Sequence, residues 1–249
     1  MSMYRDLARI YDVLRDEGQY RAWPGYLMEL MAEHGCSRGA DVIDAACGTG
    51  DMAIELRNAG YKVTGIDISG DMLQIAQEKA RQRGVDIRFV CQDMKEISVH
   101  KPADALICVN DGVNYILGEN ELKVFFQNVK RVLKQNGLFL FDISSRHKLE
   151  AMAGHVYTYD TDDIAYIWNN AITPDGRSLR MDITFFLRNE YGSFDRFEES
   201  HVQGLYDEDF IKDMLLESGF LLEAVYSCFS RKAPEAADER LQFVARAVG

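Results

Sequence analysis

The sequence predicts an α/β protein with a doubly wound, seven-stranded and mostly parallel sheet, and three observations lead to this prediction. Short apolar segments alternate with helical segments from residue 41 to residue 143. These apolar segments lack the polar alternation of a strand that faces water, so both of their faces are expected to be buried. The 249 residues are 47% hydrophobic and 27% charged, which is the usual balance of a globular chain with a large core.

The residue pattern predicts each element in order. Two N-terminal helices are expected at residues 3–16 and 20–34, where apolar side chains recur at three- and four-residue spacing, and Gly35 can end the second. The predicted strands of the main sheet are residues 41–45, 61–66, 87–91, 105–109, 138–143, 220–229 and 240–247. The predicted helices of the sheet region are residues 51–59, 71–83, 119–133 and 207–218.

Residues 155–204 interrupt this alternation with a period of two. Apolar residues from Leu179 to Leu187 alternate with polar ones, as in a half-buried strand. We predict a three-stranded antiparallel sheet at residues 163–173, 178–189 and 194–204. The chain then divides into a core (residues 1–146 and 205–249), whose N-terminal helices (residues 1–35) form a lid, and an antiparallel insert (residues 147–204) over the substrate site.

Composition excludes several classes of protein. Five scattered cysteines without a C-x-x-C pair form neither a disulfide framework nor a zinc site, which favours a reducing, cytoplasmic setting. No apolar run approaches the ~18 residues of a membrane span, and residues 1–12 lack the apolar core of a signal peptide. No metal site is expected, because His, Asp and Glu do not cluster.

The net charge of −12 is concentrated late in the chain, where residues 147–249 hold 10 Lys and Arg against 19 Asp and Glu. Such a surface repels polyphosphates, so no nucleic-acid partner is expected. We expect the partner to be a small molecule and the chain to be a monomer or a homodimer.

The strongest motif is D-A-A-C-G-T-G at residues 44–50, between a predicted strand and a predicted helix. Its glycines allow a sharp turn and the close approach of a ligand, and the helix that follows begins with free N–H groups. The spacing of Gly48, Gly50 and Ala53 also fits the G-x-G-x-x-G/A pattern of dinucleotide sites. This loop alone therefore leaves a nicotinamide-dependent enzyme open.

Three carboxylates at predicted strand ends narrow the choice of ligand. Asp44 precedes the glycines, where it would repel a pyrophosphate and attract an ammonium group. Asp67 ends the second strand, where a carboxylate can accept hydrogen bonds from ribose hydroxyls. Asp93 follows the third strand and can accept a bond from an exocyclic amine, although each of the three can also be a helix cap or loop residue. S-adenosyl-L-methionine has all three complementary groups.

With these residues the chain resembles the class I S-adenosylmethionine-dependent methyltransferases, in particular bacterial small-molecule enzymes with an inserted antiparallel sheet. The resemblance covers about residues 38–146 and implies a Rossmann-like sheet with an antiparallel last strand. The family motif reads D-x-G-x-G-x-G in outline, and Ala46 replaces its first glycine. That replacement is mild if the backbone at Ala46 keeps a negative φ.

The resemblance implies a role for each matching residue. Asp44 would lie near the methionine ammonium, Asp67 would bind the ribose and Asp93 would reach the adenine amine. The other cofactor contacts it implies are Ala46, Cys47, Gly48 and Gly50 around the methionine part, Ile68, Met72 and Met94 around the adenosine, and Asn110 beside the sulfonium.

The segment after the fourth strand bears on the methyl acceptor. Residues 110–115 do not read N-P-P-Y or D-P-P-Y, the pattern of enzymes that methylate adenine N6 or glutamine, so a small molecule is expected. Acidic insert residues facing the site would favour an amine. The catalytic candidates are Asp111, Tyr115 and His201. The acceptor-binding candidates are Tyr4, Tyr11, Tyr20, Trp23, Trp168, Arg180 and Tyr206.

Methyl transfer from a sulfonium is a direct displacement with a neutral leaving group, so alignment can supply most of the catalysis. A general base is required only when the acceptor carries a proton at the working pH. Two other functions remain open at this point, an NAD-dependent oxidoreductase and a module that binds S-adenosylmethionine without chemistry.

Overall fold

The structure is a computed structural model that describes residues 17–249. Its helices are α1 (Glu17–Glu33), α2 (Asp51–Asn58), α3 (Gly70–Gln82), α4 (Glu119–Val132), α5 (Arg146–Met152) and α6 (Glu208–Glu217). Its strands are β1 (Asp41–Ala45), β2 (Lys62–Asp67), β3 (Arg88–Cys91), β4 (Ala103–Cys108), β5 (Leu133–Ser144), β6 (Val156–Asp160), β7 (Ile164–Ile172), β8 (Ser178–Arg188), β9 (Phe194–Gly204), β10 (Phe220–Ser227) and β11 (Arg240–Ala247). Short 3₁₀ helices follow β3 and β4, at Met94–Glu96 and Gly112–Tyr115.

The seven strands of the main sheet lie in the order β10-β11-β5-β4-β1-β2-β3. Strands β1 to β5 pair in parallel with their neighbours, whereas β11 runs antiparallel to both β5 and β10. The predicted doubly wound sheet with an antiparallel last strand is therefore confirmed. Chain order reverses between β1 and β4, and in open α/β sheets such a reversal leaves a crevice beyond the carboxyl ends of the strands.

Neighbouring residues of the central strands face opposite sides of the sheet and enter two separate cores. Ile43 and Leu106 belong to a core that contains the phenylalanines of α4 and β5, whereas Val42 and Ala105 belong to a core on the α1 and α2 side. Burial on both faces explains why these strands read as continuous apolar segments in the sequence.

The insert forms a separate four-stranded antiparallel sheet in the order β6-β7-β8-β9. The sequence predicted only three of these strands, and it also missed helix α5. Strand β6 is an edge strand whose five residues are all exposed, so it carries no alternation of buried and exposed positions. Helix α5 has only seven residues; its N-cap is Ser145, whose hydroxyl accepts a hydrogen bond from the Lys148 N–H (3.2 Å).

Boundaries elsewhere shift by a few residues. The largest shift is at β5, which begins at Leu133, directly after α4, rather than at the predicted residue 138. Helix α3 begins at Gly70, where the Ser69 hydroxyl accepts a hydrogen bond from the Met72 N–H (3.2 Å). Ser69, and not Asp67, is thus the cap of this helix.

The N-terminal segment is described only in part. The side chains of Leu27, Leu30 and Met31 are fully buried, so the described part of α1 belongs to the core of the main sheet. The first predicted helix, residues 3–16, lies outside the described residues. The lid at residues 1–35 therefore stays a prediction.

Asn114 connects the main sheet to the insert. This fully buried side chain donates to the carbonyls of Ser144 (3.1 Å) and Gly204 (3.0 Å), and its oxygen accepts from the Ser144 N–H (2.9 Å). The three bonds join the end of β5, the end of β9 and the loop after β4, which together carry part of the cavity described below.

We expect Asn114→Ala to lower the free energy of unfolding by about 2–4 kcal/mol, because it leaves buried backbone groups without partners. Urea denaturation measures this change. Asn58→Ala is the matched control, since Asn58 is exposed at the end of α2 and its loss should change stability by less than about 0.5 kcal/mol. Equal effects of the two substitutions would contradict the connecting role of Asn114.

Candidate functional site

A cavity of about 530 Å³ lies at the carboxyl ends of the parallel strands and is covered by the insert. We call it the central cavity. The residues that follow β1, β2, β3 and β4 supply one wall, and the inner face of the insert supplies the other. The contact of Met72 with Ile183 and Phe185 closes the cavity between α3 and the insert.

Asp44, near the end of β1, lines this cavity with a carboxylate that is only 1% exposed. Within residues 17–249 neither of its oxygens has a hydrogen-bond partner. Burial, together with the nearby charge of Asp67, raises the pKa of Asp44 to about 8. A buried carboxylate without a partner is costly, and such groups in a cavity mark candidate binding sites.

Asp67, the last residue of β2, is held in a fixed orientation. Its two oxygens accept hydrogen bonds from the N–H groups of Gly48 and Ser69, both at 2.8 Å. Burial raises the pKa of Asp67, and these two bonds oppose the rise. A carboxylate oxygen can accept more than one hydrogen bond, so acceptor capacity remains on the cavity side.

The glycine loop has three alternate positions, residues 46, 48 and 50, at which the backbone adopts a positive φ. Gly48 (φ +53°) and Gly50 (φ +78°) both adopt left-handed conformations. A Cβ on Gly48 would meet nothing within 4 Å, whereas a Cβ on Gly50 would lie 2.7 Å from the Ala76 Cβ. Gly48 therefore leaves open space beside the cavity, while Gly50 does not line it and instead allows α2 to approach α3.

Ala46, which replaces the first glycine of the family motif, was expected to keep a negative φ. Its φ is +56°, so this expectation is wrong. An L-residue in this region costs roughly 1–2 kcal/mol relative to the right-handed conformation. Ala46 lines the central cavity, and strain of this kind is common at functional sites.

The residues proposed around an adenosine lie together at the ends of β2 and β3. Ile68, Met72, Asp93 and Met94 all line the central cavity. The carboxylate of Asp93 accepts a hydrogen bond from the Lys95 N–H (2.8 Å), which fixes its orientation in the loop. Cys47 also lines the cavity, and burial holds the pKa of its thiol well above its usual range.

Asp111 was a candidate catalytic residue, but its surroundings do not suit a group that accepts a proton. One oxygen forms an ion pair with Arg240 (2.8 Å) and the other accepts from Gln203. Although burial opposes it, the charges of Arg240 and Lys148 lower the pKa of Asp111. The group is thus a poor proton acceptor, and it holds the loop after β4 in place. Asn110, the residue before it, lines the cavity with φ +57°.

The far end of the cavity is formed by the insert and by the loop after β4. Tyr115 and His201 lie edge to face with their rings 5.9 Å apart, and both line the cavity. Burial lowers the pKa of His201, which favours the neutral imidazole. Trp168 and Met181 complete this aromatic and apolar wall.

Several acceptor-binding candidates do not line the central cavity. Trp23 is buried in the core on the α1 side, next to Phe229. Arg180 is on the outer face of β8, where it pairs with Asp182 (3.0 Å). Tyr206 is buried, and its hydroxyl donates to the Ile116 carbonyl. Tyr4, Tyr11 and the side chain of Tyr20 lie outside the described residues.

Three further residues that line the cavity were not predicted from the sequence: Lys148, Tyr166 and Gln203. Tyr166 and Gln203 lie two positions from Trp168 and His201, on the same inner face, so the period of two could have indicated them. Lys148 carried no signal, because its helix α5 was not predicted. Among residues 147–204, the structure places no carboxylate in the lining of this cavity, so the acidic insert does not supply a site for a cation.

Comparisons with known proteins agree with this geometry. Residues 42–137 match the family model described as a methyltransferase domain. A protein of Geobacillus sp. strain WCH70 whose name assigns it to the methyltransferases is 34% identical over 244 residues, which cover 98% of this chain and 99% of the relative. The crystal structure of an S-adenosylmethionine-dependent methyltransferase from Clostridium acetobutylicum is 31% identical, with a TM-score of 0.88 over 99% of both chains.

The chain belongs to the class I S-adenosylmethionine-dependent methyltransferases.

This methyltransferase is also similar to a third protein, but over less than half of each chain. A glycine/sarcosine N-methyltransferase of Aphanothece halophytica is 31% identical over 119 residues, which are 47% of this chain and 44% of that protein.

The residues of this methyltransferase fit its family's cofactor at two points. Among residues 17–249 the carboxylate of Asp44 has no cationic partner, and the open space beside Gly48 allows a ligand to reach the backbone. In the described chain, no helix has the length and apolar character that crossing a membrane requires. Residues 17–249 also contain no group of three or more His, Cys, Asp or Glu side chains arranged to bind a metal.

We expect Asp44→Asn to stabilise this methyltransferase in the absence of ligands. The raised pKa means that the folded chain binds this proton more tightly than the unfolded chain does, so the stability contribution of Asp44 falls as pH rises from about 4 to about 8. The variant has no such loss. Its melting temperature should exceed that of the wild type by about 2–4 °C for each kcal/mol recovered, with a gap that widens from about pH 5 to about pH 8.

Thermal melts at several pH values measure this gap. Asp86→Asn is the control, because Asp86 is exposed and its substitution should leave the melting temperature unchanged at every pH. A wild type that is more stable than Asp44→Asn at pH 8 would show that Asp44 has a stabilising partner.

Proposed function

We infer that this methyltransferase moves a methyl group from S-adenosylmethionine to a small molecule bound under the insert. The observation that carries this inference is the division of the central cavity into two ends. Asp44, Asp67 and Asp93 line the end below the parallel strands, and aromatic side chains of the insert and the Tyr115 loop line the other. The cavity is about 530 Å³ in volume, a size that suits small molecules.

The cofactor end has a donor or acceptor for each part of S-adenosylmethionine. Asp44 would face the methionine ammonium, Asp67 the ribose hydroxyls and Asp93 the adenine amine. Ala46, Cys47 and Gly48 would border the methionine part, Ile68, Met72 and Met94 the adenosine, and Asn110 the sulfonium. When bound, the cofactor supplies an electrophilic methyl group on its sulfonium.

The chain's own residues would contribute mainly alignment and the exclusion of water. The insert covers the cavity, and the bonds of Asn114 and Gln203 fix its inner face relative to the loop after β4. The neutral imidazole of His201 could accept a proton from an acceptor that binds in its protonated form. Asp111 is unsuited to that task because it is paired with Arg240.

An amine is the nucleophile we favour. Its support is the partial similarity to a glycine/sarcosine N-methyltransferase, which covers 47% of this chain. The acidic insert gives no support, since its carboxylates do not line the central cavity. Five free thiols fit the predicted cytoplasmic setting.

Two other functions fit the cavity less well. A nicotinamide dinucleotide would bring its pyrophosphate to the glycine loop, where the buried carboxyl group of Asp44 offers no positive charge to balance it. A module that binds the cofactor without chemistry would have no use for an acceptor pocket, yet open space remains at the insert end of the cavity.

Isothermal titration calorimetry with two ligands tests the assignment of the cofactor end. Methylthioadenosine shares the adenosine and sulfur of S-adenosylmethionine but lacks its ammonium. Asp44→Asn should therefore weaken the binding of S-adenosylmethionine about 10–100-fold, the worth of a charged hydrogen bond, and leave methylthioadenosine within about twofold of the wild type. Asp93→Ala should weaken both ligands about tenfold, because both contain the adenine amine.

Equal losses for the two ligands in Asp44→Asn would contradict the placement of the ammonium. Tighter binding of NAD than of S-adenosylmethionine would contradict the function itself. Transfer of a radiolabelled methyl group to a library of metabolites then tests whether the bound cofactor reacts, and labelling of nucleic acid instead of a metabolite would contradict the small-molecule acceptor.

A further inference from the structure

A second cavity of about 470 Å³ adjoins the central cavity, between α5 and strands β6 and β7. We call it the side cavity. It shares Lys148, Met152, Tyr166 and Trp168 with the central cavity, so a molecule that enters it can extend towards the methyl-transfer site. Its other lining residues are His147, Ala151, Tyr157, Thr158 and Glu239.

Two polar side chains at the junction of the cavities have unused hydrogen-bonding capacity, and both are donors. The Lys148 Nζ has one hydrogen bond, to the Ser144 hydroxyl (3.3 Å), and no carboxylate within ion-pairing distance in residues 17–249. The Trp168 Nε1 is buried, and no partner for it exists in that same part of the chain. Lysine and tryptophan side chains can only donate, so a complementary ligand supplies acceptor atoms.

Two of the acidic groups near Lys148 are already engaged by another cation, because Arg240 forms ion pairs with Asp111 and Asp142. The third, Glu239, lines the side cavity but forms no ion pair with Lys148 within residues 17–249. Burial and the proximity of Arg240 lower the pKa of Lys148, against the pull of Asp111, Glu239 and Asp142. A half-buried ammonium of this kind gains a favourable interaction when an anion binds beside it.

The wall opposite Lys148 is aromatic. The Trp168 ring lies 5.9 Å from the ring of Tyr157 and 6.4 Å from that of Tyr166, both edge to face. Such a wall offers apolar area and ring faces against which a flat molecule can pack. The chemistry of the junction is thus that of a flat apolar body with a carboxylate at its end.

We propose that the methyl acceptor is a carboxylate-bearing small molecule with a flat apolar body, which enters through the side cavity and binds Lys148 and Trp168 through its acid group. The proposal rests on the function proposed above. It also gives the cavity a direction, because the carboxylates of Asp67 and Asp93 at the cofactor end disfavour an acid group there. The acid therefore stays at Lys148, and the opposite end of the acceptor points towards the methyl group.

Fluorescence of Trp168 provides a direct test. The chain contains two tryptophans, and Trp23→Phe leaves Trp168 as the sole reporter. Phenylacetate and phenylacetamide have nearly the same shape and differ in charge, and phenethylamine supplies a cation. In the presence of saturating S-adenosylhomocysteine, phenylacetate should bind at least tenfold more tightly than either of the other two probes.

Lys148→Met should reduce the affinity for phenylacetate at least tenfold and leave that for phenylacetamide within about twofold, and Lys148→Arg should restore part of the preference. Lys101→Met is the control, because Lys101 is exposed and away from the two cavities. Calorimetry on the unsubstituted chain repeats the comparison without the change at Trp23. Tighter binding of phenethylamine, or a preference that survives Lys148→Met, would overturn the proposal.

The same variants separate this proposal from the proposed function. S-adenosylhomocysteine should raise the melting temperature of Lys148→Met as much as that of the wild type, because Lys148 lies at the acceptor end. If that rise occurs and the protein binds phenylacetate no more tightly than the other two probes, the proposed acceptor class is wrong and the cofactor assignment stands. If S-adenosylhomocysteine gives no rise in the wild type, the proposed function fails whatever phenylacetate does.

Discussion

The desolvation of Asp44 is the constraint on which the rest of the site depends. This carboxylate, near the end of a central parallel strand, is almost fully buried, and within residues 17–249 neither of its oxygens has a hydrogen-bond partner. The fold tolerates this because the strands around it are buried on both faces and contribute a large apolar area. The result is a position where an ammonium group is strongly favoured, next to a loop whose glycine leaves space for it.

Arg240 has a comparable role at the other side of the cavity. Placed at the start of the antiparallel strand β11, it joins Asp142 of β5 to Asp111 in the loop after β4, and Gln203 extends the same network into the insert. The antiparallel strand thus does more than complete the sheet. It brings a cation to the carboxyl ends of parallel strands, where it neutralises acids that would otherwise repel one another.

The fold and the cofactor end could be predicted from sequence because both depend on local patterns. Buried strands give apolar segments, and the loops that follow them carry the polar residues that meet at one edge of the sheet. Strand β6 was missed because an exposed edge strand has no such pattern. The conformation of Ala46 was also not predictable, since nothing in the sequence specifies a left-handed backbone at an alanine.

The acceptor end was harder to predict, and the physical reason is that its residues are brought together by packing rather than by spacing. Aromatic residues occur on both α1 and β7, yet Trp23 packs in the core and Trp168 faces the cavity. Arg180 could have been excluded, because it alternates with Met181 and so lies on the outer face. The role of Lys148 depends on a short helix and on Arg240, which is distant in sequence.

The distribution of charge explains why the overall acidity of the chain misleads about its ligand. The carboxylates of the insert lie outside the lining of the central cavity, so they shape the protein's surface and solubility but not the acceptor site. In the central cavity the acids follow the ends of the parallel strands, whereas the junction with the side cavity carries an ammonium and an indole N–H, and Glu239 lines the side cavity itself. Because a ligand in these cavities lies beside the lining groups, their polarity affects its orientation more than the net charge of the chain does.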